Sequence, residues 1–179
     1  MLKITKTYIK DLLIIDGKQH DDNRGYLREL TSEKEIGNKF KFTIVSKSKK
    51  NVLRGVHFQT KKPQGKYVTI LKGKILDVVV DLRKKSKTFG KSFSVILSEK
   101  NCRGLYIPPG FAHGFQTMDM ENIVCYSCTE YRSVGNEYSV NYNDPQLKIK
   151  WLNNLPIMTK KDKNAKTLNE LIQNKIIKP

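Results

Sequence analysis

Lys74-Ile-Leu-Asp-Val-Val-Val-Asp-Leu82 is the stretch on which the fold turns. Leu76, Val78, Val80 and Leu82 alternate with Asp77, Val79 and Asp81, the two-residue period of a β-strand. One face should meet a core and the other something more polar. Gly73 separates this strand from an apolar run at Tyr67 to Leu71 and suits a hairpin, while Lys84 to Gly90 is a polar connection ending in Gly. Further strand-like runs lie at Phe42 to Val45, Val52 to Gln59, Lys91 to Leu97 and Ile123 to Tyr131. Short strands divided by turn signals predict an all-β sandwich or barrel. Pro108, Pro109 and Gly110 interrupt the pattern before Phe111, which suits a shaped loop near the mouth of a barrel.

At the C-terminal end, Thr167 and Glu170 have capping-box spacing, and Leu168, Leu171, Ile172 and Ile176 recur at helical intervals. A short amphipathic helix is expected there. The 179 residues contain no internal repeat, low-complexity tract or linker, so one domain spanning 1–179 is expected. The formal charge is +17, but the lysines fall in small groups with no basic helix and no interleaved aromatic platform. That pattern reads as a Lys-rich solvated surface around a pocket for an anionic substrate, rather than a nucleic-acid surface. No long apolar run suggests a membrane span or an export signal. Three cysteines, an odd number in a chain of this size, fit a reducing cytoplasm.

Histidine is scarce: His20, His57 and His113. His20, in Gln-His-Asp-Asp, has the context of an exposed loop. His57 and His113 sit in Gly-flanked contexts, Arg54-Gly-Val-His57-Phe-Gln59 and Pro109-Gly-Phe-Ala-His113-Gly-Phe, and could serve as a base and a second polar ligand. A histidine on a strand is more often structural, so spacing alone leaves both readings open. The Pro-x-Gly-x-x-His element suggests the cupin superfamily, whose metal-binding members converge several histidines and a carboxylate on one ion. Here the residue two after His57 is Gln59, which disfavours a metal. Cys125 and Cys128 are three apart on a strand and should point to opposite faces as packing thiols. No Walker or Rossmann glycine loop is present.

Taken together, Leu53-Arg-Gly-Val-His-Phe-Gln59, Gln64-Gly-Lys-Tyr-Val68, Asp77-Val-Val-Val-Asp-Leu-Arg83, Lys87-Thr-Phe-Gly90, Ile107-Pro-Pro-Gly-Phe-Ala-His-Gly-Phe115 and Asn143-Asp-Pro145 resemble the dTDP-4-dehydrorhamnose 3,5-epimerase family. The resemblance runs from about Arg24 to Asp162. It implies a cupin-like jelly-roll barrel, a homodimer with exchanged strands, and a cofactor-independent, metal-free isomerase of surface-polysaccharide synthesis. Such an enzyme inverts carbons flanking the ketone of a nucleoside-diphosphate 4-keto-6-deoxy sugar. By motif, the resemblance makes His57 the base, Asp162 the carboxylate that orients it, and Tyr126 the proton donor on the other face. Lys66 would hydrogen-bond the C4 oxygen as charge develops. Arg24, Arg54 and His113 match diphosphate contacts, with Glu29, Glu137 and Lys161 as further substrate matches, and Tyr131 and Arg132 occupy the base-stacking position.

The chain departs from the family pattern at the nucleotide end. The usual Gln-x-Asn-x-Ser reads Phe42-Thr-Ile-Val-Ser46, the usual Val-Arg reads Val68-Thr69, and the usual Tyr-Tyr reads Tyr131-Arg132. The alternatives left open are a GDP-linked 4-keto-6-deoxyheptose as substrate and inversion at C3 alone. From other classes come a noncatalytic binding barrel, a metal cupin, and a ketoisomerase that moves the carbonyl between C3 and C4.

Overall fold

A computed structural model describes residues 2–153 and 155–179. The N-terminal region holds β1 (Lys3–Lys6), β2 (Leu13–Asp16), the hairpin β3 (Gln19–Asp22) and β4 (Gly25–Arg28), and a single turn of helix, α1 (Glu33–Ile36). The central strands are β5 (Phe42–Lys49), β6 (Leu53–Gln59), β7 (Lys66–Lys72), β8 (Lys74–Asp81), β9 (Ser92–Ser98), β10 (Arg103–Ile107), β11 (Phe111–Thr117), β12 (Glu121–Cys128) and β13 (Glu137–Ser139). After them come a 3-10 turn at Pro145–Leu147, α2 (Lys160–Lys163) and α3 (Leu168–Gln173).

Two antiparallel sheets pack face to face, one six-stranded in the order β1-β2-β10-β7-β12-β5 and one five-stranded in the order β13-β6-β11-β8-β9. This is the expected jelly-roll arrangement, and among the described residues its sheets remain separate ladders rather than one closed ring. Val68, Ile70 and Val124 of the first sheet meet Ile75, Val79, Leu97 and Phe115 of the second in a core from which water is excluded.

The alternation in β8 marks two buried faces, not a buried and a wet one. Val79 enters the core between the sheets, and Asp77 and Asp81 on the same face are 0% exposed. On the opposite face Val80 joins a second core with Leu82, Leu147, Leu168 and Leu171, which covers the outside of the five-stranded sheet. The buried carboxylates survive because each is paired. Asp81 accepts bonds from Arg83, Ser86 and Thr88, which folds the Lys84–Gly90 connection back on itself.

Gly73 makes no hairpin. It links β7 of one sheet to β8 of the other, with φ +82° and a would-be Cβ directed into the carbonyl of Glu121. The polar, β-poor N-terminus also hid structure: every residue of β1 is exposed, and β3 and β4 form a separate two-stranded sheet with His20 exposed on it. The C-terminal helix matches expectation, with both halves of the Thr167–Glu170 capping box formed. No described helix is long and apolar enough to cross a membrane. Cys102, Cys125 and Cys128 are free thiols, the last two buried.

Replacing Gly73 with Val should lower unfolding stability by about 1–3 kcal/mol, the typical cost of forcing a side chain into a left-handed backbone, before any clash with Glu121 is added. Urea denaturation followed by tryptophan fluorescence measures it. An unchanged midpoint would show that the corner between the sheets relaxes freely.

Candidate active site

At one end of the sandwich the core gives way to a cleft of about 440 Å³. The five-stranded sheet contributes Arg54 and His57 from β6, His113 and Phe115 from β11, and Glu137 and Tyr138 from β13. From the facing sheet come Phe42 and Ile44 of β5, Lys66 of β7 and Tyr126 of β12, while Lys161 and Asp162 of α2 close one side.

His57 lies directly across from His113 in the β6–β11 ladder, so both imidazoles project from the same face. The strands approach unusually closely beside them. A Cβ on Gly55 would lie 2.5 Å from Gly114 Cα, and Gly55 has φ +119°, so both glycines are needed to let the backbones touch.

Asp162 reaches His57 from 105 residues away, with Oδ1 at 2.7 Å from Nε2. Its side chain is 5% exposed, whereas that of His57 is 44% exposed, so the carboxylate sits behind the ring and the ring faces the cleft. Burial pulls the Asp162 pKa upward, but bonds from His57, Thr159 and the Gly55 amide outweigh it and hold the acid below its ordinary value. An ionised carboxylate only accepts, so Nε2 carries the hydrogen and Nδ1 is the free nitrogen. His113 makes a matching pair with buried Asp77, Nε2 lying 3.1 and 3.0 Å from the two oxygens.

Lys66 and Tyr126 come from the other sheet. Burial pushes the Lys66 ammonium below the usual lysine range, an effect partly offset by Cys128, Asp77 and Glu137. Burial raises the Tyr126 phenol, with Cys128 adding to the rise and Arg54 opposing it. Tyr126 is therefore a protonated donor at neutral pH. Arg54 donates to Ser48 Oγ at 3.0 Å, and Arg132 pairs with Glu137 at 2.9 and 2.6 Å, which keeps Glu137 ionised.

The cleft thus assembles His57, Lys66, Tyr126, Asp162, Arg54, His113, Arg132, Glu137 and Lys161. It does not assemble the rest. Arg24 is exposed at the tip of the β3–β4 hairpin and pairs with Asp22 at 2.6 Å, and Glu29 lines a separate groove with Leu2, His20 and Arg28. Tyr131 is 60% exposed and stacks on Phe42 at 5.7 Å, forming the outer layer of the cleft's wall. Phe42, Ile44, Gln64, Phe115, Tyr138 and Thr159 also line the cleft, beyond the residues the sequence assigned to it. The strand period of Phe42 and Ile44, in phase with the inward face, was the signal available for those two.

The family model described as dTDP-4-dehydrorhamnose 3,5-epimerase matches residues 6–170. The chain belongs to that family. It is 43% identical to the epimerase of Salmonella typhimurium, over 96% of this chain and 98% of the relative. It is 41% identical to that of Methanothermobacter thermautotrophicus, over 94% and 95%. Among solved structures, a 3,5-epimerase from Legionella pneumophila in complex with dTDP-4-keto-L-rhamnose superposes with a TM-score of 0.93 at 39% identity, covering 99% of this chain and 98% of that one. The 3'-monoepimerase ChmJ of Streptomyces bikiniensis, at 26% identity, superposes with a TM-score of 0.90, so the epimerase fold also carries single inversion.

The depressed Asp162 acid makes a stability prediction. A carboxyl whose folded pKa lies below its unfolded 3.8 stabilises the fold above that value and loses the contribution as pH falls through the folded pKa. The stability difference between wild type and Asp162→Asn should therefore shift against wild type as pH drops from about 5 to about 2. Parallel urea titrations check this, and a pH-independent difference would mean that the pair does not hold the acid down.

Proposed function

We propose that this chain is a cofactor-independent epimerase of a nucleoside-diphosphate 4-keto-6-deoxy sugar, acting in the cytoplasm in surface-polysaccharide synthesis as a single cupin-like domain. The observation that carries the reading is the His57–Asp162 pair on one wall of a cleft whose other wall presents Tyr126 and Lys66. Inversion needs a base on one face of a carbon and an acid on the other, and the two sheets supply them from opposite sides.

In this reading Nδ1 of His57 takes the proton alpha to the ketone, and Asp162 stabilises the imidazolium that forms. The electrons move into an enolate whose oxygen meets the desolvated Lys66 ammonium, where a charge-assisted hydrogen bond is worth more than in water. Tyr126 then protonates the carbon from the opposite face, and the centre is inverted. Arg54, Arg132 and Lys161 give the cleft the positive rim that a diphosphate requires. The relatives named for dTDP sugars, and the dTDP sugar held in the Legionella structure, support thymidine as the nucleoside.

The same reading makes the protein a homodimer with exchanged strands. Arg24 and Glu29 stand outside the cleft of their own chain, on and beside a projecting hairpin. β5 is an unpaired edge of eight residues with Val45 58% exposed, a surface that a strand of a second copy would complete.

In heavy water, the enzyme should introduce deuterium at each inverted carbon of dTDP-4-keto-6-deoxyglucose, and the count of deuterons assigns C3, C5 or both. His57→Ala should abolish uptake, while Lys66→Ala should slow it by about 10² to 10³ and Tyr126→Phe by about 10² to 10⁴. Full exchange by a folded His57→Ala protein would overturn the base assignment. For the dimer, Arg24→Ala and His57→Ala chains, each weakly active or inactive alone, should regain about a quarter of the wild-type rate when re-associated in equal amounts. No gain over the separate variants would place Arg24 outside the partner's site.

A further inference from the structure

Asp162 is delivered to His57 by a strap, residues 152–167, that has almost no core of its own. Of its described residues only Pro156 and Asp162 are buried. Apolar packing within the strap therefore does not set where the carboxylate sits; polar anchors at its ends do so, alongside the Lys166 carbonyl bonded by the Asn141 amide at 2.8 Å and the core seat of Leu168 just beyond.

Upstream, the fully buried side chain of Gln116 on β11 accepts from the amide of Leu152 at 2.8 Å and donates to Asn51 Oδ1 at 2.9 Å. Asn51 in turn receives Asn153 Nδ2 at 2.5 Å and donates to the carbonyl of Leu155 at 3.1 Å. Its backbone carbonyl accepts from the amide of Ile157 at 2.8 Å, and Leu53, four residues before His57, donates to the carbonyl of Ile157 at 2.9 Å. Downstream, Asp144 is 4% exposed and splits its carboxylate between two elements: Oδ1 accepts from the amide of Gln146 at 2.9 Å, and Oδ2 from that of Leu168 at 2.7 Å. Neither Gln116 nor Asp144 lines the cleft.

We propose that Gln116 and Asp144 are positioning residues for the base, clamping the two ends of the strap so that the Asp162 carboxylate falls within hydrogen-bonding distance of His57 Nε2. The inference rests on the assignment of His57 as base and Asp162 as its partner. A displacement of about 1 Å in a catalytic pair costs up to about 10²-fold in rate, so loosening either clamp should act on turnover and leave the diphosphate contacts in place.

The experiment uses Gln116→Leu, Asp144→Asn and the milder Asn153→Ala, which removes an exposed contributor to the upstream knot and leaves the core untouched. Each should lower kcat, by about 10-fold for the first two, with KM within about twofold, and each should move the acid limb of the kcat/KM profile to lower pH, because an imidazolium without its carboxylate is a stronger acid. In an Asp162→Asn background, where slow deuterium exchange is read over hours, the same substitutions should add no further loss. A merely structural role would lower the folded fraction equally in both backgrounds and leave the acid limb unmoved. Multiplicative losses together with an unmoved acid limb, for folded variants, would overturn the clamp. If His57→Ala exchanges deuterium normally, the base assignment fails instead, and the two failures are thereby separated.

Discussion

Two carboxylates, Asp77 and Asp162, are withdrawn from water beside two histidines that face each other across the β6–β11 ladder. Burying an unpaired carboxylate costs several kcal/mol, so each acid is held by the imidazole it touches, and each imidazole is fixed in orientation and tautomer by its acid. The rest of the cleft follows from this. With Nε2 of both rings engaged by carboxylates, their remaining nitrogens are the ones presented to the interior. The glycines at 55 and 114 belong to the same constraint, because strands carrying side chains there could not bring the backbones beside the two histidines this close.

The jelly roll holds the two sides of the cleft on different sheets, which is the separation the proposed inversion needs. Tyr126 lies on a strand whose ladder partners are β5 and β7, and His57 on one whose partners are β11 and β13. Among the described residues no hydrogen-bonded ladder connects the two sheets, so their separation is set by the core side chains between them. Packing of Val68, Val79 and Phe115 thus sets the width of the gap, which links core volume to the distance between Tyr126 and His57.

Of the central strands, β5 to β9 and β12 were legible because their apolar residues alternate or run together and their breaks carry Gly, Pro or Lys, whereas β10, β11 and β13 gave no such signal and were not expected. The N-terminal strands were not, since β1 is wholly exposed and an exposed edge strand has no hydrophobic period to display. Gly73 shows a subtler limit: a glycine between two strands signals a sharp turn, but whether the chain returns along the same sheet or crosses to another depends on tertiary packing. At the site, His57, Lys66, Tyr126 and Asp162 were each picked out by motif, but the motif of Asp162, Lys-Lys-Asp, carries no sign of how the carboxylate reaches His57. Its place depends on a strap held by Gln116 and Asp144, which in sequence look like an ordinary strand amide and an acid before a proline.

Of the residues at which the sequence departs from the family pattern, Phe42, Ile44 and Arg132 line the cleft. Phe42 and Ile44 point into the cleft in phase with each other, while Thr43 turns to the outer face and bonds Ser127 Oγ at 2.9 Å. The wall next to Tyr126 is therefore apolar, with Phe42 backed by Tyr131, which lies within 15° of parallel to it. Such a wall offers stacking and shape, and stacking is indifferent to the pattern of donors and acceptors along a base edge. Arg132 is anchored by Glu137 on the opposite sheet. These positions thus set an aromatic wall facing a fixed guanidinium, away from the histidine–carboxylate pairs.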